Sequence, residues 1–407
     1  MTHTAYKKPV KMRRAYKFLL RPTAKQAVAL SACLEDHRQL YNAALEERRQ
    51  AWQMRRLPVT YYTQARQLPV IRAADRDGQG RWSAGSQQQT LRRLDKAFAA
   101  FFRRKKAGDN PGYPRFKGRG WFNSVDWPAL KNGARWDSVP HSPVTRVYLL
   151  GVGHVRVHRH RPIAGTVKTV SVKRERHRWY LIVSCDEVPA EPLPVCGTAI
   201  GIDMGAASFL TTSDGEHLRN ARPLAAAAER LATAQRSLTS TEKGSNRHRK
   251  AAARVTGLHA KVCRTRRDHA HKVALALIRN HDVIVHEALK IGNMTRRPKP
   301  RPLPDGTYEP NGAAAKAGLN RSILDVGWGV FLRILAAKAE SAGRTIIAVD
   351  PRHTSQRCAR CGHVAAGNRV TQAEFRCLAC AYQAHADVNA AQNILRAGLA
   401  RQAAQAA

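Results

Sequence analysis

Ile200-Gly201-Ile202-Asp203-Met204-Gly205 is the stretch on which the fold turns. It closes a run, Thr198 to Met204, that reads as a buried strand, with one aspartate near its end among apolar residues and glycines. A carboxylate buried in that way is costly unless it is paired or bound to a metal ion. Two further acids stand in comparable places. Glu287 ends the apolar run Val283-Ile284-Val285-His286, and Asp387 opens a C-terminal helix ahead of Asn389 and Asn393. Taken singly, Glu287 reads as a strand-end surface charge and Asp387 as an ordinary helix-start acid favoured by the dipole. Taken together, three acids at the edges of core elements fit a ribonuclease-H-like fold that gathers them. Hard cations take oxygen ligands, and two Mg²⁺ ions roughly 3.5–4 Å apart stabilise the attacking and leaving oxygens of a phosphodiester. Asp203, Glu287 and Asp387 are therefore the candidate catalytic residues and magnesium ligands.

Outward toward the C-terminus lies a second signal. Cys358-x2-Cys361 is followed, after fifteen residues, by Cys377-x2-Cys380. Four thiolates at this spacing close a tetrahedral zinc site with no open position, so one structural Zn²⁺ is expected. The other four cysteines, Cys33, Cys185, Cys196 and Cys263, follow no pattern. That argues against a disulfide framework and for a reducing compartment. His363 and His385 lie near the full thiolate shell and read as surface or nucleic-acid-facing residues.

Composition sets the partner class. The 407 residues carry 70 Lys+Arg against 29 Asp+Glu, a formal net charge of +41. Self-repulsion on that scale adds nothing to stability, whereas each phosphate neutralised releases condensed counterions. Hydrophobic residues make up 43%, enough to bury a sizeable core. No stretch approaches the roughly 20 apolar residues that span a bilayer, and the basic start, Met1 to Tyr16, lacks the apolar core of a secretory signal. A nucleic-acid partner, no membrane and a cytoplasmic, nucleoid-associated location are expected.

Along the chain, Pro9 to Leu20 reads as a strand and Thr23 as a helix N-cap. A helix follows with Val28, Leu30, Leu34, Leu40, Tyr41 and Leu45 at helical spacing; a second is expected from about 87 to 106, with a polar, Arg-rich segment between them. Gly108 to Lys117 is a Gly/Pro loop. Short strands are expected in 144–157, 166–172 and 179–185, and the Pro-rich joint Val188 to Pro194 marks a domain boundary. Beyond it come strands at 198–204 and 207–212 and a turn at 213–216. Basic helices at 221–240 and 247–280 and a strand at 282–286 follow. A mobile loop at 296–318, one helix at 322–342, a strand at 344–349 and a last helix at 387–397 complete the pattern.

With these residues in hand, the chain resembles the TnpB family and, more distantly, the type V CRISPR effector nucleases. The resemblance runs from about residue 10 to residue 397. It rests on Leu20-Arg21-Pro22-Thr23, Tyr41-Asn42-Ala43-Ala44-Leu45, Lys96-Ala97-Phe98 and Pro111-Gly112-Tyr113-Pro114-Arg115-Phe116-Lys117. In the second half it rests on Gly201-Ile202-Asp203-Met204-Gly205, His286-Glu287, Thr354-Ser355-Gln356, the four cysteines and Asp387-Val388-Asn389-Ala390-Ala391. The family often has an acid where Ala288 stands and an arginine where Ala386 stands. Neither change removes a metal ligand; the missing arginine bears on activity level more than on reaction type.

The resemblance implies a multidomain α/β protein. Residues 1–20 and 107–190 would form a β-barrel wedge domain and 21–106 a helical recognition insert. Residues 195–354 and 384–397 would form a RuvC/RNase H-like nuclease, with the zinc ribbon at 355–383 inserted and a flexible tail at 398–407. It further implies RNA-guided cutting of double-stranded DNA beside a short target-adjacent motif, by one protein per transposon-derived RNA, with the guide reading sequence and the protein reading backbone and motif.

Candidate nucleic-acid contacts are Gln87 and Gln88, whose amides suit base edges; Tyr113, Arg115 and Lys117, which suit stacking and phosphate contact; and Arg264, Arg266 and Arg267 on a basic helix. Each has an ordinary alternative: a polar helix start, a packing loop and a solvated face. A non-cleaving regulator and a strand-joining transposase remain competing functions.

Overall fold

The computed structural model describes residues 11–128, 133–136 and 144–406, and the chain divides into two compact units, Met1–Pro189 and Ala190–Ala407. The boundary falls within the expected Pro-rich joint.

The first unit begins with β1 (Lys11–Arg21), then α1 (Ala24–Arg55), α2 (Tyr61–Ala74) and α3 (Ala84–Lys106). Six strands follow: β2 (Ser124–Pro128), β3 (Ala134–Trp136), β4 (Thr145–Leu149), β5 (Gly153–His158), β6 (Thr166–Glu175) and β7 (Arg178–Pro189). The strands form one antiparallel sheet in the order β2-β6-β7-β1-β5-β4-β3. β1 lies at its centre, so the three helices are an insertion between two strands of one sheet. The residues at 144–157 are not one extended run, because Gly151 (φ 81°) turns the chain back between β4 and β5.

Thr23 caps α1 through a full capping box, its side chain accepting from the Gln26 amide while Gln26 returns a bond to the Thr23 amide. The buried stripe of α1 runs Leu30, Cys33, Leu34, His37, Leu40, Tyr41, Ala44, Leu45 and Arg48. Val28, expected on that stripe, is 70% exposed. α2 was not legible in the sequence: it contains Pro69 and buries only Gln64 and Leu68, so no apolar period announces it.

The second unit opens with β8 (Ala199–Asp203), β9 (Ser208–Thr212) and β10 (His217–Arg219), then α4 (Ala228–Thr239) and α5 (Asn246–Asn280). Next come β11 (Val283–Glu287), α6 (Ile291–Met294), α7 (Ala313–Val326), α8 (Trp328–Ala342) and β12 (Thr345–Val349). The hairpin β13 (Glu374–Arg376) and β14 (Gln383–His385) precedes α9 (Ala386–Ala406). The sheet order is β10-β9-β8-β11-β12: an antiparallel meander of three strands, with β11 and β12 added parallel to β8.

Three expectations are corrected in this unit. The helix read at 322–342 is two helices, because Gly327 (φ 77°) breaks the chain between α7 and α8. The loop read at 296–318 is shorter, since Pro302 and Tyr308 bridge and α7 begins at Ala313. The tail read as flexible from 398 continues α9 to Ala406.

The sheet has two different faces. Ile200, Ile202 and Ile284 pack with Ala274, Leu277, Phe331 and Leu335 of α5 and α8 in the main core. Val285 and Val349 pack with Ile394 of α9 on the opposite face.

Candidate active site and metal centre

Alternation along β8 decides where Asp203 points. Gly201 and Asp203 share a face, because side chains two apart on a strand lie on the same side. Gly201 meets α9 so closely that a Cβ there would sit 2.2 Å from the Ala391 carbonyl oxygen and 2.8 Å from the Leu395 Cβ. A Cβ on Gly398 would likewise meet Val285 at 2.4 Å. These glycines let α9 lie directly on the sheet. Asp203 therefore faces α9, whose first turn carries Asp387.

Glu287 arrives by register. β11 runs parallel to β8 with Val283 opposite Ala199 and His286 opposite Ile202, so Glu287 follows level with Asp203. Glu287 also shares a face with Val285, on the α9 side. The three acids meet at one end of one sheet.

Their electrostatics fit that arrangement. Burial, then the charges of Glu287 and Asp387, push the Asp203 carboxyl up to about 7, against the opposing pull of Arg369. Burial also raises Glu287, and a hydrogen bond from Thr354 opposes the rise. The Thr354 hydroxyl donates to Glu287 Oε1 at 2.5 Å, and Arg369 Nη2 lies 3.3 Å from Asp387 Oδ1. Three acids against one guanidinium leave negative charge uncompensated, and a divalent cation with oxygen preference is the partner that donor set suits. The sulfurs of the four thiolates are all within 4.8 Å of one another.

Arg369 and Thr354 were not assigned roles from sequence. Arg369 lies in the stretch between the cysteine pairs, where spacing carries no information. Thr354 lies in a motif whose partner, Glu287, is 67 residues away.

The thiolate cluster is built from two equivalent knuckles. In the first, the Cys358 amide donates to the His363 carbonyl and the Gly362 amide returns to the Cys358 carbonyl; in the second, Cys377, Tyr382 and Ala381 repeat the pattern. Cys358 and Cys380 sulfurs lie 3.7 Å apart, Cys361 and Cys377 sulfurs 3.6 Å. A tetrahedron with Zn–S bonds of about 2.3 Å has edges of about 3.8 Å, so the residues fit Zn²⁺. Asn389 and Asn393 of α9 donate to the Arg357 carbonyl, and Asn393 also to that of Thr354, which ties the entry of the ribbon to the helix bearing Asp387.

The expected nucleic-acid contacts divide. Gln87 is fully buried: its amide nitrogen donates to the Gln79 carbonyl and side chain, and its oxygen accepts from Arg72 at 2.9 Å. It cannot reach a base edge, which corrects the reading of its amide; Gln88 is half-buried. Arg266 is likewise committed, bonding the Asp325 carbonyl at 2.7 Å and its carboxylate at 3.0 Å. Arg264 and Arg267 beside it are exposed. Tyr113 sits edge-on to Phe98 and Phe101, and with Arg49, Trp52, Arg115 and Phe116 it lines a cavity of about 590 Å³. Lys117 is pinned at its backbone by Asn42 and Arg38, with its ammonium over the Tyr41 ring. Among the described residues no helix is long and apolar enough to cross a membrane.

Known proteins resemble this chain over most of its length. Residues 170–297 match a family described as a probable transposase, 12–56 a helix-turn-helix domain and 328–394 a Cas12f1-like TNB domain. In the structure the helix-turn-helix span is β1 and the unbroken α1. The chain is 34% identical to a protein of Escherichia coli (strain K12) named as an RNA-guided DNA endonuclease, InsQ, over 96% of this chain and 93% of that one. A Streptomyces pristinaespiralis protein also named as an RNA-guided DNA endonuclease is 30% identical over 96% and 91%. Among solved structures, the Cas12f1–sgRNA–target DNA complex shares the fold, with a TM-score of 0.56 at 13% identity over 94% of this chain and 98% of that one.

Proposed function

The chain belongs to the TnpB family of RNA-guided DNA endonucleases, and we propose that it cuts double-stranded DNA beside a short target-adjacent motif by two-metal-ion hydrolysis, directed by a transposon-derived RNA. What carries the mechanism is the meeting of Asp203, Glu287 and Asp387 at one end of the β10-β9-β8-β11-β12 sheet, with Asp203 pushed up to about 7. These acids would hold Mg²⁺. When bound, the ions supply charge stabilisation to the attacking and leaving oxygens of the phosphodiester. Thr354 fixes one oxygen of Glu287, and Arg369 holds one oxygen of Asp387. A Zn²⁺ in the ribbon would be structural, holding the loop that delivers Arg369.

In this reading the seven-stranded sheet of the first unit is the wedge domain, α1 to α3 are the recognition insert, and the second unit is the RuvC-like nuclease carrying the ribbon. Gln88, Tyr113, Arg115, Lys117, Arg264 and Arg267 remain the proposed contacts to RNA or DNA. One protein acts per RNA, in the cytoplasm with the nucleoid.

The test is to express the protein with its flanking genomic DNA, sequence the co-purifying RNA, and incubate the complex with Mg²⁺ and plasmids carrying the matched target beside randomised bases. Linear product with an enriched motif supports the reading. A discrete RNA with binding but no cut returns the regulator; joined products return strand transfer.

A further inference from the structure

Two histidines stand beside the acids on the same face. His217 pairs with Thr211 across β10 and β9, and Thr211 pairs with Asp203 across β9 and β8. Residues directly opposite on a ladder share a face, and two such steps separate His217 from Asp203 by about 10 Å. Thr211 Oγ1 lies 3.0 Å from His217 Nδ1. The ring of His217 meets that of His385 edge-on, centroids 4.4 Å apart. His385 precedes α9, and its Nδ1 accepts the Asp387 amide at 3.2 Å. An Nδ1 that accepts leaves the neutral ring's proton on Nε2. Both residues are exposed.

The placement answers a problem the acids create. Three carboxylates repel a strand of phosphates, and Arg369 beside them is engaged by Asp387. A strand approaching this end of the sheet needs donors that carry no negative charge.

We infer that His385 and His217 form a subsite for the strand being cut, in which His385 Nε2–H donates to a phosphate oxygen neighbouring the scissile bond and His217 braces the ring from its side. This rests on the nuclease reading of the acid trio. The competing role is a helix cap, since His385 Nδ1 already serves the α9 amide, and side chains differ in which role they can fill. Asn caps well but is too short to reach; Gln carries an amide donor near the Nε2 position but caps poorly.

The experiment is single-turnover cleavage by the guide-loaded complex. His385→Ala and His385→Asn are expected to slow cutting about ten- to a hundredfold, with guide-directed target binding unchanged and the Tm of His385→Asn at the wild-type value. His385→Gln should return to within a few fold of wild type. A methylphosphonate at the neighbouring phosphate should slow wild type and add nothing in His385→Asn. Wild-type cutting by His385→Asn would reduce His385 to a cap, and a His385→Gln as slow as His385→Asn would also overturn the donor. If Asp203→Ala cuts like wild type, the nuclease reading itself fails and the subsite with it.

Discussion

Gln87 and His37 in the first unit are as deeply buried as any side chain there, and both are closed by partners. Gln87 is held by Arg72 and Gln79, while His37 Nδ1 donates to the Cys33 carbonyl at 2.7 Å and Nε2 lies 2.9 Å from Ser86 Oγ. Asp203 and Glu287 in the second unit are also withdrawn from water, but there the neighbours are acids. Buried polarity that is satisfied within the chain holds helices together. Buried polarity left opposed to itself waits for a partner from outside. That difference, more than the residue types, separates scaffold from site.

The contrast is broken most severely at the acids. Asp203→Asn should reduce guided cleavage by about a thousandfold or more while leaving thermal stability unchanged or raised in chelator, since it removes a repelling charge. A stability loss with cleavage retained would make Asp203 part of the scaffold.

The opposite response is expected from Arg72→Ala. It would strand the Gln87 oxygen and the carbonyls of Gly80 and Trp82, which Arg72 serves now. Unmade bonds of that kind should cost about 2–4 kcal/mol in urea denaturation.

Acidification sharpens the comparison, because the two regions respond with opposite sign. Burial holds His37 down to about 4, so the unfolded chain takes up its proton first as pH falls below about 6.5. The stability His37 confers as a neutral ring is complete above that pH and is lost toward pH 4, about 3 kcal/mol in all. His37→Gln should flatten this slope. Asp203 is raised, so in metal-free protein its protonated form stabilises the fold at low pH, and that contribution is lost as pH rises through about 7. The stability of Asp203→Asn relative to wild type should therefore grow from pH 4 to pH 8 in chelator.

The ribbon stands between the two cases, an inward-facing thiolate cluster that a metal closes. Its knuckles differ at the left-handed turn position: Gly362 takes φ 81° freely, whereas Ala381 is forced to φ 52°. Ala381→Gly should stabilise the zinc-loaded ribbon by about 1 kcal/mol, read as slower zinc loss to a chelator.

Much of this was legible in the sequence for a physical reason. Asp203 in an apolar strand and four cysteines at fixed spacing are local anomalies, visible without knowing what surrounds them. α2 was hidden because its helix is stabilised by the Gln64 and Arg48 network and not by an apolar stripe. Gln87 was misread because an amide at a helix start looks the same whether it faces water or Arg72. Arg369, Thr354 and the His217–His385 pair acquire meaning only from partners that the fold brings to them.

The most direct test is Mg²⁺-dependent cutting of a guide-matched DNA target by the co-purified ribonucleoprotein, wild type beside Asp203→Asn. Cutting by wild type alone, with equal target binding by both, is the expected result. Equal cutting by both, or no Mg²⁺-dependent cut by wild type, would contradict the assignment of the three acids as the nuclease centre.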